Sequence, residues 1–231
     1  MIPIDDYFTE FQLHFVSRNE ARFRDIEQLA RSRYREVYGA EIEVLAQDFV
    51  WIEPHGQPGA GACAAITSAA SKRLFSEQYL DRQCDQLITL RERKLVLRQH
   101  VAELGTFAAS DPGAGVDLFQ ILPLVAWLRG FRYALMTAVP DIRDLLASNG
   151  VPFVALARAR VDALPADQRA RWGSYYTQGP ITGYVALEQP AVDAMVSVLH
   201  RRFDPALLRR RFEQLGSAAL GARPRQEAVA L

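Results

Sequence analysis

The feature that most restricts this chain is the alternation of helical and strand patterns through its second half. Leu118, Ile121, Leu122, Val125 and Leu128 form an apolar stripe that predicts a helix over about 117–129, ended by Gly130. Phe131–Val139 then reads as a buried strand. Pro140 opens a helix over Asp141–Ser148, Asn149-Gly150 closes it, and Val151–Leu156 reads as another strand. Strands separated by helices of this length predict a layered α/β domain with partly parallel pairing. Pro123 falls inside the first of these helices and predicts a kink, because it removes a backbone donor.

The first half reads as a helix, a hairpin and a strand. Phe23, Ile26, Ala30, Tyr34 and Val37 recur at helical spacing over Asn19–Tyr38; Ser17 and Glu20 have capping-box spacing, and Gly39 suits the stop. Glu43–Ile52 and Gly61–Ser68 read as strands joined by the Pro/Gly-rich turn of residues 53–60. A short helical patch follows at Phe75–Leu80, and residues 94–109 read as one strand. Near the end, Pro190 begins a helix with Val192, Met195, Leu199 and Phe203 on one face, and Asp204-Pro205 begins another. The expected division is a domain over 1–189 and a helical extension over 190–231 whose last stretch, Gly216–Leu231, is a mobile tail.

Composition removes several classes of partner. Across 231 residues, 27 Lys and Arg balance 27 Asp and Glu, so no overall field favours nucleic acid. Cys63 and Cys84 lack metal-ligand spacing and read as thiols of a reducing compartment. The first residues lack the pattern of a signal peptide, and no apolar run reaches roughly 18 residues, so a cytoplasmic location is expected. Ser174 lies in Trp-Gly-Ser-Tyr-Tyr, without the second glycine of a nucleophile elbow. There is no Walker loop or dinucleotide fingerprint, and His14, His55, His100 and His200 are scattered, so no metal site is expected.

Four segments could carry chemistry. Glu103 lies in Val101-Ala-Glu-Leu-Gly-Thr-Phe107 at the end of a strand, and burial there would raise its pKa and suit it to accept a proton. A core glutamate bonded to backbone amides or to an arginine fits the same residues, and both readings stand at this point. Glu77 lies in Leu74-Phe-Ser-Glu-Gln-Tyr-Leu-Asp81, where a solvated carboxylate at a helix start is the simpler account. Asp111-Pro-Gly-Ala-Gly115 could offer backbone amides to a phosphate, although a glycine turn before a helix is common. Trp172-Gly-Ser-Tyr-Tyr176 could line a pocket or fill a packed corner. Arg201, Arg202 and Arg209–Arg211 could meet acidic lipid or a carrier protein, or form a solvated helix face.

Taken together these segments resemble the thermostable hemolysin family. Leu74-Phe-Ser-Glu-Gln-Tyr-Leu-Asp81 is similar to its Leu-Phe-x-Glu-Gln-Tyr-Leu-Asp signature, and Val101–Ala108 to its Val-Glu-Val-Gly-Asn-Leu-Ala strand. Leu135-Met-Thr-Ala138, with Ile142-Arg143 and Leu145, is similar to its Phe-Thr-Ala segment and the following helix. Trp172-Gly-Ser-Tyr-Tyr176, with Pro180 and Gly183, is similar to its closing motif. The likeness runs in order from about residue 20 to 187.

The resemblance implies an N-acetyltransferase-like three-layer fold, related to acyl-homoserine-lactone synthases and N-acyl amino acid synthases, with two middle strands that splay apart. It implies an acyltransferase moving a medium- or long-chain acyl group from a thioester of acyl carrier protein or coenzyme A to a small amine or hydroxyl acceptor. No permanently bound cofactor is implied, and peripheral membrane contact is a further expectation. Glu103 and Glu77 would be catalytic; Leu104, Gly105, Thr106, Phe107, Gly113 and Gly115 would hold the donor; Tyr79, Trp172, Tyr175 and Tyr176 would line the acceptor or acyl pocket. Thr106 stands where the synthases' Glu-Leu-Ser-Arg motif has its arginine, which implies a different acceptor contact. Only Gly113 and Gly115 fit the acetyltransferase glycine loop, which implies a carrier-protein donor over coenzyme A. The alternatives are a membrane-active hemolysin-like protein and a non-catalytic module that binds lipid or acyl carrier protein.

Overall fold

The computed structural model describes residues 11–57 and 59–188. Seven strands form one mixed sheet: β1 (Phe11–Ser17), β2 (Asp48–Pro54), β3 (Ala62–Ser68), β4 (Val101–Ala109), β5 (Tyr133–Ala138), β6 (Phe153–Arg158) and β7 (Ile181–Ala186). Their order across the sheet is β1-β2-β3-β4-β5-β7-β6. The described α-helices are α1 (Ala21–Tyr38), α2 (Cys84–Glu92), α3 (Pro112–Leu128), α4 (Pro140–Ser148) and the single turn α5 (Ala166–Arg169), with short 3-10 turns between elements. None of these helices is long and apolar enough to cross a membrane.

Side-chain alternation puts a core on each face of the sheet. On one face Leu13, Val50, Ile52 and Ile66 pack with Leu118, Ile121 and Val125 of α3 and Leu146 of α4. On the other, Phe23, Ile26 and Ala30 of α1 meet Phe49, Trp51 and Cys63. Burying Phe23 and Ile26 stabilises the docking of α1 by roughly 1.5–3 kcal/mol per side chain. Beside them, Cys84 and Ile88 of α2 cover Val101, Tyr133, Leu135 and Tyr184. The sheet therefore lies between two helical layers, as the alternation predicts.

All neighbouring strands pair antiparallel except β4 and β5. These two are parallel over only three pairs, Val101–Tyr133, Ala102–Ala134 and Glu103–Leu135. β4 continues to Ala109 and β5 to Ala138, so the strands part beyond Glu103. The splay implied by the family likeness is present at the centre of the sheet.

Several boundaries differ from the sequence reading. The strand expected from Glu43 begins at Asp48; Ile42, Val44 and Ala46 do alternate inward, yet their backbone joins no ladder. The strand expected over 94–109 begins at Val101, after a loop and a 3-10 turn, Arg98–His100. Helix α3 starts at Pro112, so the expected glycine loop is its first turn, and the helix runs through Pro123 without interruption. The Ser17–Glu20 box is half formed: Glu20 accepts the Ser17 amide at 2.7 Å, while the Ser17 hydroxyl donates to Asp48. Strands β1 and β7 and helix α2 were not anticipated. The expected C-terminal helices, and the arginines on them, lie outside the described residues.

Candidate active site

The split between β4 and β5 opens into a cavity of about 630 Å³. Leu104, Gly105, Thr106 and Phe107 line it along β4, with Met136 and Thr137 along β5. Its α3 end is apolar, walled by Phe107, Phe119, Leu122 and Ile142. Its α1 end is aromatic, walled by Tyr34, Tyr38, Phe75, Tyr79, Trp172 and Tyr175. A passage through the sheet exists because the ladder stops after Glu103.

A bulge in β4 shapes the middle of this passage. Cys63 pairs with Ala108 and Ala65 with Gly105, so Thr106 and Phe107 together oppose Ala64 alone. Thr106 takes φ 49°, a conformation a β-branched residue adopts at a cost of about 1–2 kcal/mol. Beyond Glu103, the β4 backbone groups aimed at β5 have no strand to pair with among the described residues. Such groups can meet an extended ligand or a carbonyl oxygen.

Glu103 sits where the strands part. One carboxylate oxygen accepts the Phe75 amide at 2.8 Å; the other accepts the Ser76 amide at 2.8 Å and the Ser76 hydroxyl. Glu103 is thus held by backbone amides and also lines the cavity. Burial raises its carboxyl above the ordinary value, and the Ser76 hydroxyl and the two amides offset part of that rise.

Behind Ser76 runs a file of hydroxyls. Ser76 Oγ lies 2.8 Å from Thr137 Oγ1, which lies 2.7 Å from Thr182 Oγ1. Each hydroxyl has one proton, and that of Ser76 goes to Glu103. Thr137 therefore donates to Ser76 and Thr182 to Thr137. Every proton in the file points toward the carboxylate.

Glu77 has a different setting. Arg98 grips it with both terminal nitrogens, at 2.6 and 2.7 Å, and the Leu74 and Cys84 amides donate to it at 2.8 and 2.9 Å. Burial alone would raise its carboxyl; Arg98 and the amides overcome that and hold it at about 2. Glu77 does not line the cavity through the sheet. Its cluster with Cys84 and Asp85 has a cation in its midst, since Arg98 also donates to Asp85 at 3.0 Å. With Glu103 on its first amides and Glu77 inside it, the 3-10 turn Phe75–Tyr79 is pinned by two carboxylates.

The aromatic end is held by a close backbone approach. Gly173 has φ +49°, and a Cβ on it would lie 2.0 Å from the Tyr38 carbonyl oxygen. The Ser174 amide donates to that same oxygen at 2.8 Å, so residues 172–176 fold back on the end of α1, where Gly39 at φ +64° ends the helix. Trp172 stacks on Phe75 with centroids 5.4 Å apart and meets Tyr175 at 5.2 Å. The Tyr175 hydroxyl donates to the Thr137 carbonyl at 3.1 Å, and the Tyr79 and Tyr176 hydroxyls share a hydrogen bond. Burial raises the phenols of Tyr34, Tyr38, Tyr79 and Tyr175 and pushes Tyr176 up to about 12, so all stay protonated near neutrality.

The structure gathers Glu103, Leu104–Phe107, Tyr79, Trp172 and Tyr175 around one cavity. Tyr176 adjoins it through Tyr79. Gly113 and Gly115 lie instead in the first turn of α3, off the cavity wall. There Asp111 caps the helix, accepting the Ala114 amide at 2.7 Å, so a carboxylate stands at the position offered to a phosphate. Ser76, Thr137, Thr182, Tyr34 and Tyr38 were not singled out from the sequence, because only folding aligns the hydroxyls and turns α1 toward the split.

Solved structures of low sequence identity share this fold. The AHL synthase LasI is 10% identical, with 80% of this chain and 94% of that one covered, at a TM-score of 0.53. TofI in its apo form is 16% identical, with 85% and 99% covered, at 0.51. FeeM, an N-acyl amino acid synthase from uncultured soil microbes, is 11% identical, with 78% and 91% covered, at 0.54. No curated protein matches the sequence. The family model described as thermostable hemolysin matches residues 16–190, from the end of β1 through β7, and the chain belongs to that family.

Proposed function

We propose that this protein is an acyltransferase that moves a medium- or long-chain acyl group from a thioester to a small amine or hydroxyl acceptor. The observation that carries this reading is the cavity through the β4–β5 split with Glu103 at the point of parting. The fold shared with an AHL synthase and an N-acyl amino acid synthase supports it.

In this reading the thioester lies along the parted strands, with its carbonyl oxygen against free β4 amides near the Thr106 bulge. The acyl chain lies at the apolar end under α3, beside Phe119 and Leu122. The acceptor enters at the aromatic end, among Tyr79, Trp172 and Tyr175, with Tyr176 behind Tyr79. Its nitrogen or oxygen attacks the thioester carbon, the new C–N or C–O bond replaces C–S, and the sulfur leaves as thiol. Glu103 accepts or routes the proton released by the acceptor, and its raised pKa suits that task. Glu77 is a positioning residue that fixes the turn whose amides hold Glu103.

Transfer without a covalent enzyme intermediate fits the thiols. Burial pushes Cys63 up to about 12 and raises Cys84 as well. The Asp111 cap disfavours a pyrophosphate at the start of α3, which supports a carrier-protein donor over coenzyme A, with Gly113 and Gly115 serving the helix turn. Mass spectrometry of freshly purified protein, native and denatured, tests the reading. A co-purified acyl thioester or acyl-amine supports it and gives the chain length; no bound acyl compound, and no turnover across a broad thioester and amine panel, opposes it.

A further inference from the structure

A second cavity, of about 620 Å³, opens beside the first on the helical face that carries α1 and α2. Lys72 and Arg73 line both cavities and so form the ridge between them. Each donates to a neutral carbonyl, Lys72 to that of Leu45 and Arg73 to that of Glu77 at 3.5 Å. Neither forms an ion pair among the described residues, and neither does Arg82 on the second cavity's wall. Arg98, also on that wall, is neutralised by Glu77 and Asp85. The opposing acids on these walls that lack an ion pair are Glu43 and Asp81, besides the amide-held Glu103.

The chain connects these cations directly to Glu103. Arg73 is followed by Leu74, Phe75 and Ser76, and the last two supply the amides that hold the carboxylate. The acceptor end of the first cavity therefore has polarity: an anion inside at Glu103, cations at the rim. A molecule with an amine at one end and an anion at the other matches it, its amine reaching Glu103 and its anion the ridge.

We propose that Lys72 and Arg73 form an anion subsite that selects an acceptor bearing a carboxylate or phosphate as well as its nucleophile. The proposal rests on the acyl-transfer reading for the identity of that molecule as acceptor, while the subsite can be measured by binding alone.

The experiment is titration calorimetry on the full chain with two matched pairs: phenylalanine with phenylalaninamide, and phosphoethanolamine with ethanolamine. The member of one pair that carries the acidic group binds more tightly than its partner, which carries only the ammonium, and which pair does so separates carboxylate from phosphate. Lys72→Gln with Arg73→Gln weakens that binding about ten- to a hundredfold without weakening that of the partner that lacks the acidic group. Arg73→Lys, which keeps the cation, restores most of it, and matching melting temperatures show that the variants fold. Equal binding of the two members of each pair by the unmodified protein overturns the proposal, as does tighter binding of the acid-bearing member that survives loss of both cations. Anion binding that behaves as predicted without acyl transfer to any amine leaves the subsite standing and removes the acyltransferase reading.

Discussion

Ser76 is joined to Glu103 twice, its amide and its hydroxyl both donating to the same carboxylate oxygen. The hydroxyl bond lowers the Glu103 pKa against the rise caused by burial. Ser76→Ala removes that offset, so the carboxyl titrates at higher pH. Glu103 is needed as carboxylate, and activity is therefore lost as pH falls through its pKa. The acid limb of kcat/KM moves to higher pH in Ser76→Ala, while the alkaline limb stays in place. An acid limb that does not move counts against Glu103 as the proton acceptor.

The Arg98–Glu77 pair governs stability in acid. Glu77 goes from an ordinary 4.5 to about 2 on folding, so its contribution is present above 4.5 and is lost as pH falls through about 2. Arg98→Met strands the carboxylate in the interior and destabilises the fold by about 3–5 kcal/mol at neutral pH. It also removes the decline between those two pH values. Urea unfolding at a series of pH values reads both effects.

Gly173 tests the backbone approach that seats Trp172. Gly173→Ala adds a Cβ 2.0 Å from the Tyr38 carbonyl oxygen as well as strain at φ +49°. Gly179→Ala meets strain alone, at φ +64° with nothing within 4 Å, and costs about 1 kcal/mol. Gly173→Ala therefore lowers the melting temperature more than Gly179→Ala does. It also changes tryptophan fluorescence, because Trp172 leaves its stack on Phe75.

Acyl length is set under α3. Leu122→Trp fills the apolar end of the cavity, so the preferred acyl chain shortens while the KM for the acceptor holds. Competition among thioesters of graded length measures the shift. An unchanged length preference places the chain elsewhere.

What the sequence revealed depended on how local each signal was. The second-half alternation, the Gly39 stop and the α1 stripe as far as Ala30 survive into the structure because each rests on residues near one another in the chain, whereas Val37, at the end of that stripe, is exposed. Helix α2 buries only Cys84 and Ile88 and shows no stripe, so nothing marked it. Strand β1 does alternate, but it becomes a strand through partners some forty residues away, such as Phe11 with Pro54. The period-2 pattern of Ile42, Val44 and Ala46 was real as burial and misleading as pairing.

The site divides along the same line. Family motifs brought out Glu103, Tyr79, Trp172 and Tyr175, and the fold gathers them at one cavity. The same motif brought out Glu77, whose bidentate arginine lies 21 residues on and could not be read from its neighbours. The hydroxyl file spans Ser76, Thr137 and Thr182 on a turn and two strands, and no short window holds all three.

The most direct test of the account is thiol release from medium- and long-chain acyl carrier protein and acyl coenzyme A, with a mixed amine and hydroxyl panel, by the unmodified protein and by Glu103→Gln. The account predicts thiol release matched by N- or O-acyl product, falling about 10²–10⁴-fold in the variant. No release with any donor, or a Glu103→Gln protein as fast as the original, contradicts it.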